Sequence, residues 1–346
     1  MNRTDVCGII VTFHPDEEFP ARARRIGLQV GALIVVDNGS DPAQITMLEA
    51  LAGGARPTLL LRNARNLGIA QALNTGLEQA QKLGYRWALL MDQDSLIHED
   101  LVDSLIALLA LQPEAGHVAV LGAGYRDPLE RSIATRGEAP RGEAPRGEAP
   151  RGEAPRGDAP RGDAPQGDAP QGDAPQGAAP AERGWDEVEW VITSGSLVSL
   201  EAYRAIGPFR EEFFIDYVDL EYCVRARARG YRILRARAAL MNHVIGSPTQ
   251  HQLLWAQKWT SNHSPDRRYY RARNDTVMLR ESGRYRFGSW RWKSFSRSVR
   301  TCKRVLLYER GKWAKIRAVL EGWWDGLHGR LGIRGEGGIR GHGDGG

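Results

Sequence analysis

The first hundred residues alternate two kinds of apolar segment, and that alternation excludes most folds. Val6–Thr12, Ala32–Val36, Thr58–Arg62 and Tyr85–Met91 are short apolar runs, too short for helices and suited to strands buried on both faces. Between them, Arg22–Gln29, Gln44–Ala52 and Ile69–Lys82 carry apolar residues at helical spacing. Strand and helix in strict turn predict an α/β fold with a mostly parallel sheet and functional loops at the strands' carboxyl ends. The loops at those ends hold Thr12-Phe13-His14, Asp37-Asn38-Gly39-Ser40, Arg65-Asn66-Leu67-Gly68 and Asp92-Gln93-Asp94, so the polar interest falls on one rim.

Asp92 and Asp94 are the most pointed feature of that rim. They end an apolar run, Trp87 to Met91, and two like charges one residue apart do nothing for stability. A divalent cation and a diphosphate between them would give the pair a purpose. Further along, His98–Leu111 reads as an apolar helix and Val118–Gly124 as another strand, and Trp190–Ser196 as a strand flowing into small hydroxyl residues. Apolar Phe213, Phe214 and Ile215 then run into Asp216, Asp219 and Glu221 at a helix start, more acid than capping needs. That helix stops at Gly230, and after a strand at Tyr231–Leu234 comes His243 in M-N-H-V-I-G.

Not all of the 346 residues can be core. Residues 136–180 are consecutive pentapeptides drifting from R-G-E-A-P to Q-G-A-A-P; glycine and proline in each forbid regular structure, and the segment is expected to be a disordered loop. Three scattered cysteines, Cys7, Cys223 and Cys302, argue against a disulfide framework and for a reducing compartment. The chain enters its first strand without a leader's apolar region and has no uninterrupted apolar stretch of ~18 residues, so a cytoplasmic address is expected. From Arg284 to Arg330 cations far outnumber acids, and seven of the ten tryptophans follow residue 250. With no nucleic-acid motif beside it, this composition points to an anionic membrane surface.

In order, I-I-V-T-F-H, V-V-D-N-G-S, N-L-G-I-A-Q-A-L-N-T-G, M-D-Q-D-S, T-S-G-S-L, F-I-D-Y-V-D-L-E-Y-C-V-R and N-H-V-I-G resemble the family-2 glycosyltransferases with the GT-A fold, especially bacterial rhamnosyltransferases. The resemblance covers residues 5–280 apart from the repeat. It implies a nucleotide-sugar-binding half in residues 1–135 and an acceptor half in 181–250; past these, helical spacing predicts a helical, basic extension in 251–330, and glycine content a disordered tail in 331–346. It places Thr12, Phe13 and Asp37 at the nucleotide, Asp37 accepting from the pyrimidine imide, with Asn66, Thr193 and Ser194 beside the donor. Asp92 would face the ribose and Asp94 a Mg2+ or Mn2+ ion, which His243 would help to hold. D-L-E matches the family's D-x-E core, which makes Asp219 the base that deprotonates the acceptor; Asp216 is the reserve, and Glu221 anchors the helix or orients the acceptor. Arg273, in Y-Y-R-A-R-N, is a candidate for meeting phosphate.

The implied reaction is inverting transfer of a sugar, L-rhamnose from dTDP-L-rhamnose being nearest, to a lipid-linked glycan at the inner face of the cytoplasmic membrane. UDP-galactofuranose is the alternative donor. A sugar-1-phosphate nucleotidyltransferase also combines such a sheet with metal-binding acids, but it opens with a glycine-rich basic loop that I-I-V-T-F-H-P-D lacks. A non-catalytic scaffold would explain the repeat and the basic tail, but not the full set of acids. The last apolar periodicity, Trp313 to Leu327, fits either a helix packed on the catalytic domain or one lying in a membrane interface.

Overall fold

β1 (Val6–Thr12) is buried along its whole length, because the sheet it centres is covered on both faces. The structure is a computed structural model that describes residues 1–52, 58–112, 115–126, 184–242, 249–253, 256–260, 262–281, 302–303, 305–336 and 339–340. His243, the pentapeptides and residues 282–301 lie outside the described residues. β2 (Ala32–Asp37), β3 (Thr58–Arg62) and β4 (Trp87–Asp92) run parallel to β1 in the order β3-β2-β1-β4. β5 is the short Leu96–Ile97, β6 Val118–Arg126, β7 Trp185–Glu187, β8 Ser196–Ser199 and β9 Arg232–Asn242. Beyond β4 the order continues β8-β6-β9-β5, with β7 also on β9. β6 and β9 point the same way as the first four strands, whereas β5, β7 and β8 oppose them. The sheet is therefore mostly parallel, as the alternation predicted.

Period-2 alternation assigns the core. Ile9, Val11, Ile34, Val36, Ala88 and Leu90 face α3 (Ile69–Lys82), α5 (Leu200–Ile206) and α6 (Val218–Ala228). Val6, Ile10, Leu33, Val35, Leu89 and Met91 face α1 (Phe19–Gly27), α2 (Pro42–Ala52) and α4 (Leu101–Ala110). One sheet joins residues before the repeat to those after it: on β9, Arg126 lies opposite Asn242 and Trp185 opposite Ala236.

Three stretches differ from the sequence expectation. Trp190–Gly195 is not strand: the chain turns at Gly195 (φ 75°), and pairing starts only at Ser196. The extension is not wholly helical, since Thr249–Leu253 and Ala256–Thr260 form an antiparallel hairpin, β10–β11, ahead of α7 (Pro265–Arg280) and α8 (Lys312–His328). Residues 331–336 of the glycine-rich tail are packed: Leu331 is buried, the Gly332 N–H donates to Glu212 O, and Arg334 N–H to the Tyr270 hydroxyl. Arg334, Glu336 and a buried leucine supply contacts that glycine content concealed.

α7 and α8 run side by side at unusually close approach, which Gly322 and Gly326, four residues apart, make possible. A Cβ on Gly322 would lie 2.3 Å from Tyr269 O, and one on Gly326 2.7 Å from Arg273 O. Gly322→Ala is therefore expected to destabilise the protein by about 1–3 kcal/mol, measured by urea denaturation. A loss no larger than that of an exposed Ala314→Gly substitution on the same helix would show that the helices separate freely.

Candidate active site

Strand registers build the rim. Thr12 pairs with Asp37, Val11 with Asp92, and Asp37 with Arg62, so β1, β2, β3 and β4 end almost level. β8 runs antiparallel to β4 with Leu90 opposite Ser196, which delivers the Thr193–Gly195 turn to the carboxyl end of β4. There Asp92 N–H donates to Ser194 Oγ (3.0 Å), and the Ser194 and Ser95 hydroxyls share a 2.8 Å hydrogen bond. Buried Ser194 thus ties two loops together, and Thr193 beside it is partly exposed.

The nucleotide-side residues are organised by their own loops. Asp37, 1 % exposed, accepts from the Gly39 and Ser40 N–H groups (3.2 and 3.1 Å), the Ser40 hydroxyl (2.5 Å) and the Thr12 hydroxyl (3.3 Å). Asn38 crosslinks the next loop: its amide donates to Asn66 Oδ1 (3.0 Å) and Gly68 O (3.2 Å), and its oxygen accepts from Leu67 N–H and Asn63. Asn66 in turn accepts from Gly68 N–H (2.9 Å). Both oxygens of Asp37 and the oxygen of Asn66 already hold protein donors, so in this structure these residues shape the rim. Gly39 (φ 90°) is where the two loops touch, since a Cβ there would meet Arg65 backbone at 2.6 Å. Phe13 is 42 % exposed and offers a ring to stack on; Gln93 pins it, accepting from Phe13 N–H (2.7 Å) and donating to Phe13 O (3.2 Å). Asn74, in α3, is structural: it bonds Phe209 N and O, Glu211 and Tyr203.

The second acidic motif is held under strain. Phe214 (φ 63°), Asp216 (φ 60°) and Tyr217 (φ 67°) all sit in the left-handed region, where a side chain costs about 1–2 kcal/mol. α7 clamps them. Asn274 Nδ2 donates to the carbonyls of Phe213, Ile215 and Asp216, each at 2.9 Å, and Tyr217 OH donates to Asp275 (2.8 Å). Arg273, fully buried, donates to Glu212 O, Phe213 O and Gly332 O. This corrects the expectation for Arg273, whose guanidinium faces carbonyls and no open site for phosphate. The Phe214 ring stacks on Tyr270 with centroids 4.7 Å apart, and Phe214 O accepts from Ile69 N–H at the head of α3.

Held this way, Asp219 sits in the first turn of α6 with Leu220 N–H on its Oδ1 (2.8 Å). Burial first, then the charges of Asp216 and Asp92, push its carboxyl up to about 6 against that amide. The three acids are thus within electrostatic reach of one another, although 127 residues separate Asp92 from Asp219 in sequence. Asp216 is engaged from outside: Arg267 Nε and Nη2 each lie 3.2 Å from its oxygens. Burial works to lower the Arg267 guanidinium, and Asp216 and then Asp92 more than offset it, leaving it raised. Burial and the positive charge of Arg267 hold nearby His263 well below its ordinary value, so it is neutral at pH 7. Glu221, fully buried, is paired with Arg225 (2.9 Å to each oxygen), which also bonds Ile206 O and Pro208 O. It anchors α6.

Arg267, the cation paired with Asp216, is the member of this cluster that reading the sequence missed. Ser264 caps α7 and Pro265 starts it, so Arg267 lies in the first turn. A cation there opposes the helix dipole and signals an anionic partner. Asp94 is exposed on the rim beyond Asp92. Among the described residues, no three metal-ligating side chains cluster. Two carboxylates at a rim nonetheless fit Mg2+ or Mn2+ chemistry, in which substrate phosphates and water complete the coordination.

A family model, glycosyl transferase family 2, matches residues 8–156. The dTDP-rhamnosyl transferase RfbF of Shigella flexneri is 24 % identical over 292 residues, covering 81 % of each chain. Among solved structures, S. aureus TarS 1–349 superposes with TM-score 0.53 at 12 % identity, covering 94 % of this chain and 81 % of that one. The mannosyltransferase PcManGT of Pyrobaculum calidifontis, solved with GDP-Man and Mn2+, gives 0.53 at 13 %, covering 94 % and 88 %.

Proposed function

We propose that the chain, whose residues 8–156 match glycosyl transferase family 2 and whose fold is of the GT-A type, transfers L-rhamnose from dTDP-L-rhamnose, with inversion, to a hydroxyl of a lipid-linked glycan. The observation that carries the chemistry is Asp219, a carboxylate raised to about 6 at the rim where Asp92 and Asp216 converge. A base with that pKa is ionised at neutral pH and still takes a proton readily. The acceptor O–H proton passes to the Asp219 carboxylate as the acceptor oxygen bonds the anomeric carbon. The bond from that carbon to the diphosphate breaks, and the diphosphate keeps the electron pair. Asp216 is the weaker candidate for this role because Arg267 occupies both of its oxygens.

The rim divides the donor. Phe13 stacks on the base, Thr12 and Asp37 order the loop beneath it, and Asp92 meets the ribose, with Asn66, Thr193 and Ser194 shaping the walls. Asp94, with His243, would hold Mg2+ or Mn2+. When bound, that ion supplies positive charge to the departing diphosphate. Arg267 lies close enough to Asp92 and Asp216 to add a second cation when phosphate competes for it. The donor sugar rests on the name of the Shigella relative, and UDP-galactofuranose is the alternative. A nucleotidyltransferase is disfavoured, because the β1–α1 loop Phe13-His14-Pro15-Asp16 contains no glycine or lysine.

Titration calorimetry with a panel of sugar nucleotides tests the donor: dTDP-L-rhamnose is expected to bind best and to release dTDP on turnover. Tighter binding and faster turnover of another sugar nucleotide would replace it, and pyrophosphate as product would remove the transferase reading. Excess chelator, or Asp94→Ala, is expected to lower transfer by on the order of 10²-fold or more with the melting temperature unchanged. Full activity in chelator would show that Asp94 holds no catalytic ion.

A further inference from the structure

α8 is apolar on both sides. Its inner face, Lys315, Ala318, Val319, Gly322 and Gly326, is buried against α7. On the opposite side Trp313, Leu320, Trp324 and Leu327 are 80, 53, 57 and 58 % exposed. At 100° per residue these four fall within one narrow stripe along the helix. Leu306 and Leu307, just before the helix, are exposed as well. A soluble face would have no reason to carry two tryptophans and four leucines.

The charge around the stripe selects its occupant. Arg310 and Lys312 are exposed at its amino-terminal end, and Lys303 is exposed in the segment that precedes the helix. The acids of α8 are each paired with a cation or hydroxyl: Glu321 with Arg334 and Arg317, Asp325 with the Tyr269 hydroxyl (2.7 Å) and Arg330. Residues 282–301, which lead toward this segment, contain six lysines and arginines and no acid. A second copy of the same surface would set cation against cation. An anionic surface with an apolar interior meets both halves of the pattern: tryptophan and leucine enter the headgroup boundary while the cations stay among the headgroups.

We propose that the outward stripe of α8, Trp313–Leu320–Trp324–Leu327 with its surrounding cations, docks the protein on an anionic lipid surface. The docking stands on these residues alone. Its use rests on the proposed lipid-linked acceptor, and here the packing is informative. α7 and α8 run parallel: Lys315 and Arg268 share Glu309, Gly322 lies on Tyr269, and Arg280 reaches Gly326 O. The stripe therefore begins, at Trp313, on the end of the pair where Arg267 grips Asp216. A membrane on the stripe would lie one helix away from the acids that receive the acceptor.

The full chain should co-sediment with vesicles of phosphatidylglycerol and phosphatidylcholine and far less with phosphatidylcholine alone, with binding weakened as salt is raised. Trp313→Ala/Trp324→Ala and Arg310→Glu/Lys312→Glu variants should each lose on the order of tenfold or more of that partition. Their melting temperature and nucleotide-sugar binding should stay unchanged. Unaltered partition of both variants would overturn the proposal. So would a wild-type dimer in sedimentation velocity that both variants break, since the stripe would then be a protein interface. Vesicle binding without affinity for any sugar nucleotide would leave the docking standing and remove the transferase reading.

Discussion

Asp219→Asn is expected to lower transfer by ~10²–10⁴-fold while leaving donor affinity close to that of the wild type. Asparagine keeps the size and still accepts from Leu220 N–H, but it takes no proton from the acceptor. In the wild type, transfer should rise with pH as Asp219 ionises and level off above it, with a midpoint below the metal-free value of about 6 because a bound cation favours the carboxylate. The variant should lose that dependence. The same substitution should stabilise the metal-free protein. The folded state holds the Asp219 proton more tightly than the unfolded chain does, about 6 against 3.8. This carboxyl therefore favours folding most below pH 4, and the advantage disappears as pH rises through about 6. Roughly two pKa units correspond to at most about 3 kcal/mol, which an amide would not have to give up. A variant that is inactive and melts higher at pH 8 fits a base placed for chemistry. If Asp216→Asn shows the kinetic loss and Asp219→Asn does not, the base has been assigned to the wrong acid.

Asn274→Ala should cost about 2–4 kcal/mol by urea denaturation and reduce transfer with it. One amide group serves three buried carbonyls in a segment that carries three left-handed side chains, so its loss leaves unpaired oxygens and releases strained backbone. Asn274→Asp is expected to be worse than alanine, because its second oxygen faces carbonyl oxygens in place of the amide. Wild-type stability in both variants would mean that the acidic loop holds its shape without α7. Loss of transfer in a variant that remains fully stable would instead place Asn274 closer to the chemistry than its burial suggests.

What was legible in the sequence is what local pattern controls. The strands of the first hundred residues, the helices between them and the convergence of their loops on one rim follow from apolar period alone. The structure places them within three residues of the expected bounds. Asp92, Asp94, Asp216 and Asp219 stood out because acids after apolar runs need a reason. Asp219 was chosen over Asp216 by resemblance of the D-L-E motif; the physical ground for that choice, a raised pKa on one acid and an arginine on the other, exists only once distant segments meet.

Other roles depended wholly on packing. Asp37 and Asn66 are rim residues in sequence, yet the fold turns their oxygens onto neighbouring N–H groups, a fact of loop geometry that residue type does not encode. Arg273 is a cation in a promising motif, and burial beside three backbone carbonyls gave it a structural task. Arg267 reached the site because α7 delivers its first turn there, 51 positions along the chain from Asp216. The composition of the C-terminal segment predicted an amphipathic contact without saying which side faces the protein. Gly322 and Gly326 decided that, since only their face of α8 admits the α7 backbone, leaving Trp313 and Trp324 pointing outward. Short-range pattern sets the elements; which polar groups remain available for chemistry depends on contacts made between elements, and those are settled by tertiary packing alone.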